Sequence, residues 1–431
     1  MPADTLIAAS EELLRNVRAR LTLELDPTVA NPFSTVPGRR ELIRDAIRHT
    51  LSDLDAPSTH DALVDELYDE LVGLGPLQSP LADPHITDIL VNRHDEVYVE
   101  RNGRLEHTSI RFRDQAHLEH VIARIVALVG REISVDKPLV DARMVDGSRA
   151  NAVYAPVGGP TLCIRKFNRL RLALLPDPSR RADDWVSRGG MSTAMAQFLD
   201  AMARARATIL VAGATGAGKS TLLRSIVDAF PLHERVITIE DTAELELDNP
   251  HWVRLECVHH HELGGQDTSA RRLDVADLVQ NALRMRPDRL IIGEIRNSRE
   301  AYHTLEALNT GHDGSATTIH ASSAADALSR LELLVGRSFG QLTPREIRGY
   351  IARVIDVVAV VSRLPSGRRC VMEICELAGS DGDHYDLRPV FTTEIEHERG
   401  DPAPVFRAVA HYGPAPRLAR KLSLEGLLWI S

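Results

Sequence analysis

At 431 residues, 43% hydrophobic and 26% charged, the chain has the composition of a globular protein of two or three domains. No apolar run approaches the roughly 18–20 residues of a membrane span, and the N-terminus lacks the charged-then-apolar layout of a secretory signal. A net charge of −10 argues against a duplex nucleic-acid binder, and cysteines at 163, 257, 370 and 375 have no zinc-ribbon or disulfide-framework spacing, which suits a reducing cytoplasm.

Residues 1–58 read as a mobile leader with a small helical element. Helical stretches Leu6–Leu21 and Arg39–Leu54 flank a polar gap around Pro27–Pro37. Residues 59–168 read as a compact α/β domain. Strand-like Ile86–Val91 comes first, then Val97–Glu100 and Leu105–Thr108 joined across Asn102-Gly103, a strong hairpin turn signal. A helix with Leu118, Val121, Ile122, Ile125, Val126 and Val129 on one face follows, then strands near Ala150–Tyr154 and Thr161–Phe167. Residues 169–188, rich in Arg, Pro and Asp, read as a linker.

The next span, 189–375, opens with a helix over Met191–Ala205 and the apolar run Ala207–Ala212. Strand-like segments then recur at Val236–Ile239, Leu290–Ile292, Ala316–Ile319 and Val357–Val361. Helical stretches Val275–Met285, Arg299–Leu308 and Ala324–Leu334 separate them. That alternation predicts a mostly parallel sheet with helices on both faces, and phosphate chemistry at the carboxyl ends of its strands. Residues 376–431, interrupted by prolines, read as a C-terminal extension.

Directly after the apolar run stands Gly213-Ala214-Thr215-Gly216-Ala217-Gly218-Lys219-Ser220, followed by helix-like Thr221–Phe230. This is a complete P-loop in strand–loop–helix context. Its glycines let consecutive N–H groups and a helix N-terminus face a phosphate anion. Lys219 would reach the β- and γ-phosphates, and Ser220 would be a Mg²⁺ ligand. Only four lysines occur against 47 arginines, and one of them is kept here. The expected ligands are a nucleoside triphosphate and Mg²⁺.

Hydrolysis of a γ-phosphate needs cations and a carboxylate that positions water. Glu294, at the end of Leu290–Ile292 and preceded by Gly293 instead of an aspartate, is the best candidate. Glu240 or Glu244, in the acidic box Ile237–Leu245, would assist. His312 and His320 bracket a strand, and each taken alone reads as a structural residue. The three adjacent histidines His259–His261 cannot converge well on one ion and read as a solvated loop.

The order of these blocks resembles the type II/type IV secretion ATPases, in particular the branch that powers Tad/Flp-type pilus assembly. The resemblance covers about residues 60–375. It is carried by Glu70–Asn92, Val140–Val153, the P-loop, the acidic box, Leu283–Arg296 and the two-histidine box Thr310–Ala321. It implies a RecA-like P-loop NTPase domain beside a smaller α/β, PAS-like N-terminal domain, assembled as a cytoplasmic homohexamer with ATP in the interdomain cleft. It further implies that Glu294 serves the Walker-B site, that Glu240 and Glu244 assist, and that His312 and His320 couple nucleotide state to domain movement. Arg143, Arg149 and Arg165 match the arginines that reach the γ-phosphate. The implied partner is a polytopic inner-membrane platform protein that handles pilin-like subunits, with no direct nucleic-acid contact and only peripheral membrane association. Asn297 stands where relatives usually carry glycine or aspartate, and the tetracysteine module of some relatives is missing. A conjugation or effector-secretion ATPase is the alternative within the superfamily, and a RecA-type nucleic-acid motor lies outside it.

Overall fold

The computed structural model describes residues 16–17, 19–20, 38–53, 61–71, 73–144, 146–167, 171–176, 183–258, 273–338, 342–396, 403–409 and 413–427. Most of the expected helix Leu6–Leu21, and all of His259–His261, lie outside them. The chain divides into two units, Met1–Asn168 and Arg169–Ser431.

In the first unit, helices α1 (Arg39–Asp53) and α2 (Asp61–Leu71) share a small core. Ile43, Ile47 and Leu51 recur every four residues and pack on Val64 and Leu67. A short helix α3 (Gln78–Ala82) leads into β1 (Ile86–Arg93), β2 (Glu96–Arg101) and β3 (Arg104–His107). The β2–β3 turn places Asn102 and Gly103 at φ 50° and 79°, the left-handed pair that an Asn-Gly hairpin requires. Helix α4 (Gln115–Leu128), N-capped by Asp114, buries Leu118, Val121, Ile122 and Ile125. Strands β4 (Leu139–Arg143), β5 (Arg149–Val153) and β6 (Thr161–Arg165) complete an antiparallel sheet in the order β3-β2-β1-β6-β5-β4.

The second unit begins with two-residue strands β7 (Leu172–Ala173) and β8 (Asp183–Asp184), then α5 (Thr193–Arg204). The P-loop strand β9 (Ile209–Ala212) feeds α6 (Lys219–Val227). Next come β10 (Val236–Glu240), β11 (Trp252–Glu256), α7 (Val275–Ala282), β12 (Arg289–Ile295), α8 (Ser298–Asn309) and β13 (Ala316–Ile319). Helices α9 (Ala324–Ser338) and α10 (Pro344–Val354) precede β14 (Val357–Arg363), β15 (Arg369–Ser380), β16 (Tyr385–Glu396), β17 (Ala403–Ala408) and α11 (Pro416–Leu424).

The sheet runs β11-β10-β12-β13-β9-β14-β15-β16-β17. Its first six strands are parallel, but β14 to β17 pair antiparallel, so the expected mostly parallel sheet is a mixed one. Every residue of β9 and β13 is buried, as a strand covered on both faces requires. Alternation divides β9 between two cores. Ile209 and Val211 meet Met195 and Phe198 of α5 and Leu222 of α6, while Leu210 and Ala212 meet Leu305 of α8 and Leu331 of α9.

Two stretches differ from their sequence reading. Leu172, Leu174 and Trp185, within the expected linker, are buried in the core that holds α5 and α6. Trp185 Nε1 donates to Ser225 Oγ at 2.9 Å. Beyond residue 375, β15 continues without a break, and Val390, Phe391, Leu418 and Leu422 join that same core.

Candidate functional site

The P-loop leaves the end of β9 under tight steric limits. A side chain at Gly213 would stand 2.5 Å from the Val361 carbonyl oxygen. Gly216 and Gly218 sit at φ 72° and 104°, where only glycine is unstrained. Helix α6 starts at Lys219, so its unsatisfied N–H groups and dipole face the concavity of the loop. Lys219 is buried; its Nζ donates to the Gly213 and Ala214 carbonyls at 3.1 and 3.2 Å. Burial lowers its pKa, and the Glu294 carboxylate opposes that shift.

Glu294 arrives from β12 at a break in its ladder with β13. The register slips between Ile292 and Ile295, which lets the Glu294 side chain leave the regular pleat. The Thr318 hydroxyl pins the Gly293 carbonyl at 2.7 Å. Glu294 Oε1 lies 2.8 Å from His320 Nε2 and 3.5 Å from Lys219 Nζ but makes no aligned hydrogen bond. Its Oε2 accepts from Arg296 Nε at 2.9 Å, and Arg296 Nη1 donates to Asp241 at 2.8 Å. One oxygen is thus held, and the other faces the ammonium and the imidazole. Burial lowers the His320 pKa, which favours neutral imidazole.

Gly293, in place of the usual Walker-B aspartate, lies against Glu240. A side chain at Gly293 would stand 3.1 Å from Glu240 Cγ, close enough that Glu240 would have to shift by a few tenths of an ångström. Its carboxylate accepts the backbone N–H groups of Glu244 and Leu245 at 2.9 and 3.0 Å. Buried at 4% exposure, Glu240 has its pKa pushed up to about 7, against the lowering effect of those hydrogen bonds. It therefore shapes the acidic box and presents Glu244, whose carboxylate accepts from Ser220 Oγ at 3.2 Å. Those two hard-oxygen groups at the head of α6 suit Mg²⁺.

The remaining expected residues divide. His312 lies at the opposite end of β13 from His320, its Nδ1 3.0 Å from the Ala307 carbonyl, so β13 keeps the two histidines apart. Arg143, Arg149 and Arg165 are cross-strand partners on β4, β5 and β6. Their inward neighbours Ala142, Ala150 and Ile164 are buried, so the three form one row on the outer face of the first unit's sheet, with Asp88 3.4 Å from Arg165. Asn297 is the N-cap of α8 in a capping box with Glu300, which accounts for the residue found there. Sequence reasoning missed Arg369, whose Nε donates to the Gly216 carbonyl at 3.2 Å from 153 residues away. Asp241, inside the acidic box, has no role in the sequence reading, and here it anchors Arg296.

A family model described as "Type II/IV secretion system protein" matches residues 70–383. The chain is 33% identical to a putative conjugal transfer protein of Mycobacterium tuberculosis, over 73% of this chain and 88% of that one. It is 31% identical to the conjugal transfer protein TrbB of Rhizobium radiobacter, over 76% and 94%. It is also 31% identical to the type IV secretion system protein VirB11 of Brucella suis, over 67% and 84%. Among solved structures, the VirB11 ATPase of Brucella suis in complex with sulphate aligns at 30% identity, covering 74% of this chain and 97% of that one, with a TM-score of 0.38.

Proposed function

The chain belongs to the type II/IV secretion system protein family, and from that premise we propose that it is a Mg²⁺-dependent ATPase that powers a membrane-bound secretion or pilus machine. The observation that carries this reading is the convergence of Lys219, Glu294 and His320 on the P-loop.

The loop N–H groups and Lys219 hold the β- and γ-phosphates. Ser220 and Glu244 would hold Mg²⁺, which would supply charge neutralisation for the transferring phosphoryl group. Glu294 Oε1 orients a water for in-line attack on the γ-phosphorus and takes up its proton. A water O–P bond forms as the bond to the ADP oxygen breaks, releasing ADP and phosphate. Arg296, anchored on Asp241, keeps Oε2 engaged so that Oε1 serves the water. Neutral His320, beside Oε1, is placed to relay the proton. A positioned base of this kind contributes roughly 10²- to 10⁴-fold.

The finer reading is a cytoplasmic homohexamer at the inner face of the membrane, working on a polytopic platform protein that moves pilin-like subunits, as in the Tad/Flp branch. In it the first unit is the PAS-like domain. Its arginine row, Arg143, Arg149 and Arg165, brings cationic charge to the γ-phosphate, and His312 couples the far end of β13 to domain movement. The motif order within residues 60–375 supports this branch. The names of the conjugal transfer relatives favour a second reading, a conjugation ATPase. A chromosomal Lys219→Ala strain separates them. Loss of surface pili with DNA transfer intact supports the pilus motor, and the reverse supports conjugation.

A further inference from the structure

The β14–β15 hairpin lies alongside the P-loop. Strand β14 pairs with β9 as far as Val360 opposite Ala212, and its last residues continue beside Gly213. The hairpin closes with Arg363 opposite Arg369. Arg363 Nη1 stands 3.7 Å from the place a side chain on Gly216 would occupy. The stem of Arg369 lies closer still, with Cδ 3.0 Å from the corresponding place on Gly218, and its Nε donates to the Gly216 carbonyl at 3.2 Å.

That last bond has a consequence for the anion site. In a trans peptide the carbonyl and the following N–H point in opposite directions. Holding the Gly216 carbonyl outward on the hairpin therefore turns the Ala217 N–H toward the inner side of the loop. There it donates to the Ala214 carbonyl at 3.2 Å, an oxygen that also accepts from Lys219 Nζ and that an incoming phosphate would replace. Two glycines in left-handed conformations leave this segment conformationally permissive, so an external clamp sets its orientation. The rigid, always-charged guanidinium suits that task better than an ammonium.

We propose that Arg369 is a positioning residue for nucleotide phosphates, acting through the Gly216–Ala217 peptide and coupling the antiparallel half of the sheet to the P-loop. The inference rests on the reading of this loop as a nucleotide site. It assigns Arg369 to the diphosphate portion of the ligand, not to the base.

The test measures ADP and AMP binding to the full chain by titration calorimetry, together with nucleotide-free thermal unfolding. Arg369→Met keeps most of the aliphatic stem and removes the donor. The expected result is a fall in the ADP-over-AMP preference of about tenfold, the scale of one misdirected hydrogen bond to a charged acceptor. AMP binding and the nucleotide-free melting temperature stay near wild type, and KM for ATP rises while kcat changes little. Arg369→Lys keeps the charge without the planar Nε–H and should lie between. It also serves as the test if the Met variant fails to fold. An unchanged ADP-to-AMP ratio in the folded variant, or equal losses for both nucleotides, overturns the proposal. A wild-type chain that binds neither nucleotide overturns the site reading itself and this inference with it.

Discussion

Glu294→Gln separates binding from chemistry because its two effects have opposite signs. The substitution is close to isosteric, and the amide oxygen can still accept from Arg296. It removes a negative charge 3.5 Å from Lys219 Nζ, where both side chains are largely shielded, at 9% and 15% exposure. At an effective dielectric of about 20, a unit pair at that distance interacts by about 5 kcal/mol. In the wild type the carboxylate competes with the triphosphate for Lys219 and also repels it. Recovering even a fifth of that interaction strengthens ATP binding by roughly fivefold, since 1.4 kcal/mol is a factor of ten. Losing the water-orienting base costs hydrolysis roughly 10²-fold or more, equivalent to about 2.7 kcal/mol of barrier. Equilibrium binding of a fluorescent ATP analogue and single-turnover phosphate release read the two effects separately. Turnover within about threefold of wild type, or weakened ATP binding, would refute the assignment.

His320→Ala should lower turnover with little change in ATP affinity, because His320 faces Glu294 Oε1. His312→Ala should leave ATP affinity unchanged, since its ring is seated on Ala307 at the other end of β13; a steady-state kcat and KM comparison checks both. Arg149→Ala and Arg165→Ala should retain ATP binding and lower hydrolysis sharply, by up to roughly 10³-fold if the row contacts the γ-phosphate; full activity in both would remove the row from the site. Glu240 gives a pH signature. Its folded pKa of about 7 lies above its ordinary value of 4.5, so its contribution to stability is fully present below 4.5 and is lost as pH rises toward 7. Relative to Glu240→Gln, the wild type should lose up to about 3 kcal/mol between pH 4.5 and 8 in urea titrations, and parallel pH profiles would contradict the assignment.

The sequence discloses most readily what is local or continuous. Strands β9, β10, β12, β13 and β14 are apolar runs with turn signals at their ends, because a strand covered on both faces needs no polar alternation. The antiparallel half was illegible for a specific reason. Pro389 falls inside β16 and reads as a breaker, yet it sits opposite Cys375 where the register shifts and no regular ladder bond is required. Trp185 was lost because isolated apolar residues in a polar stretch have no period to detect. The start of α10 carried an unused signal, the Thr343-Pro344 and Glu346 capping box. At the site, P-loop chemistry is a contiguous motif, and Glu294 follows an evident strand. The alignment of the three arginines depends on the register of β4, β5 and β6, and the Arg369 contact joins residues 153 apart. Neither has a local signature.

Every role proposed for Lys219, Ser220, Glu244 and Glu294 depends on ATP hydrolysis at this P-loop, and the ring reading depends on assembly. Phosphate release by the purified wild type, measured with and without Mg²⁺ across a range of protein concentrations and beside Lys219→Ala, tests both most directly. Mg²⁺-dependent release whose rate per chain rises with concentration is expected, with loss of both ATP binding and release in the Lys219 variant. Equal activity in the variant, or no hydrolysis by the wild type at any concentration, would contradict hydrolysis at this P-loop.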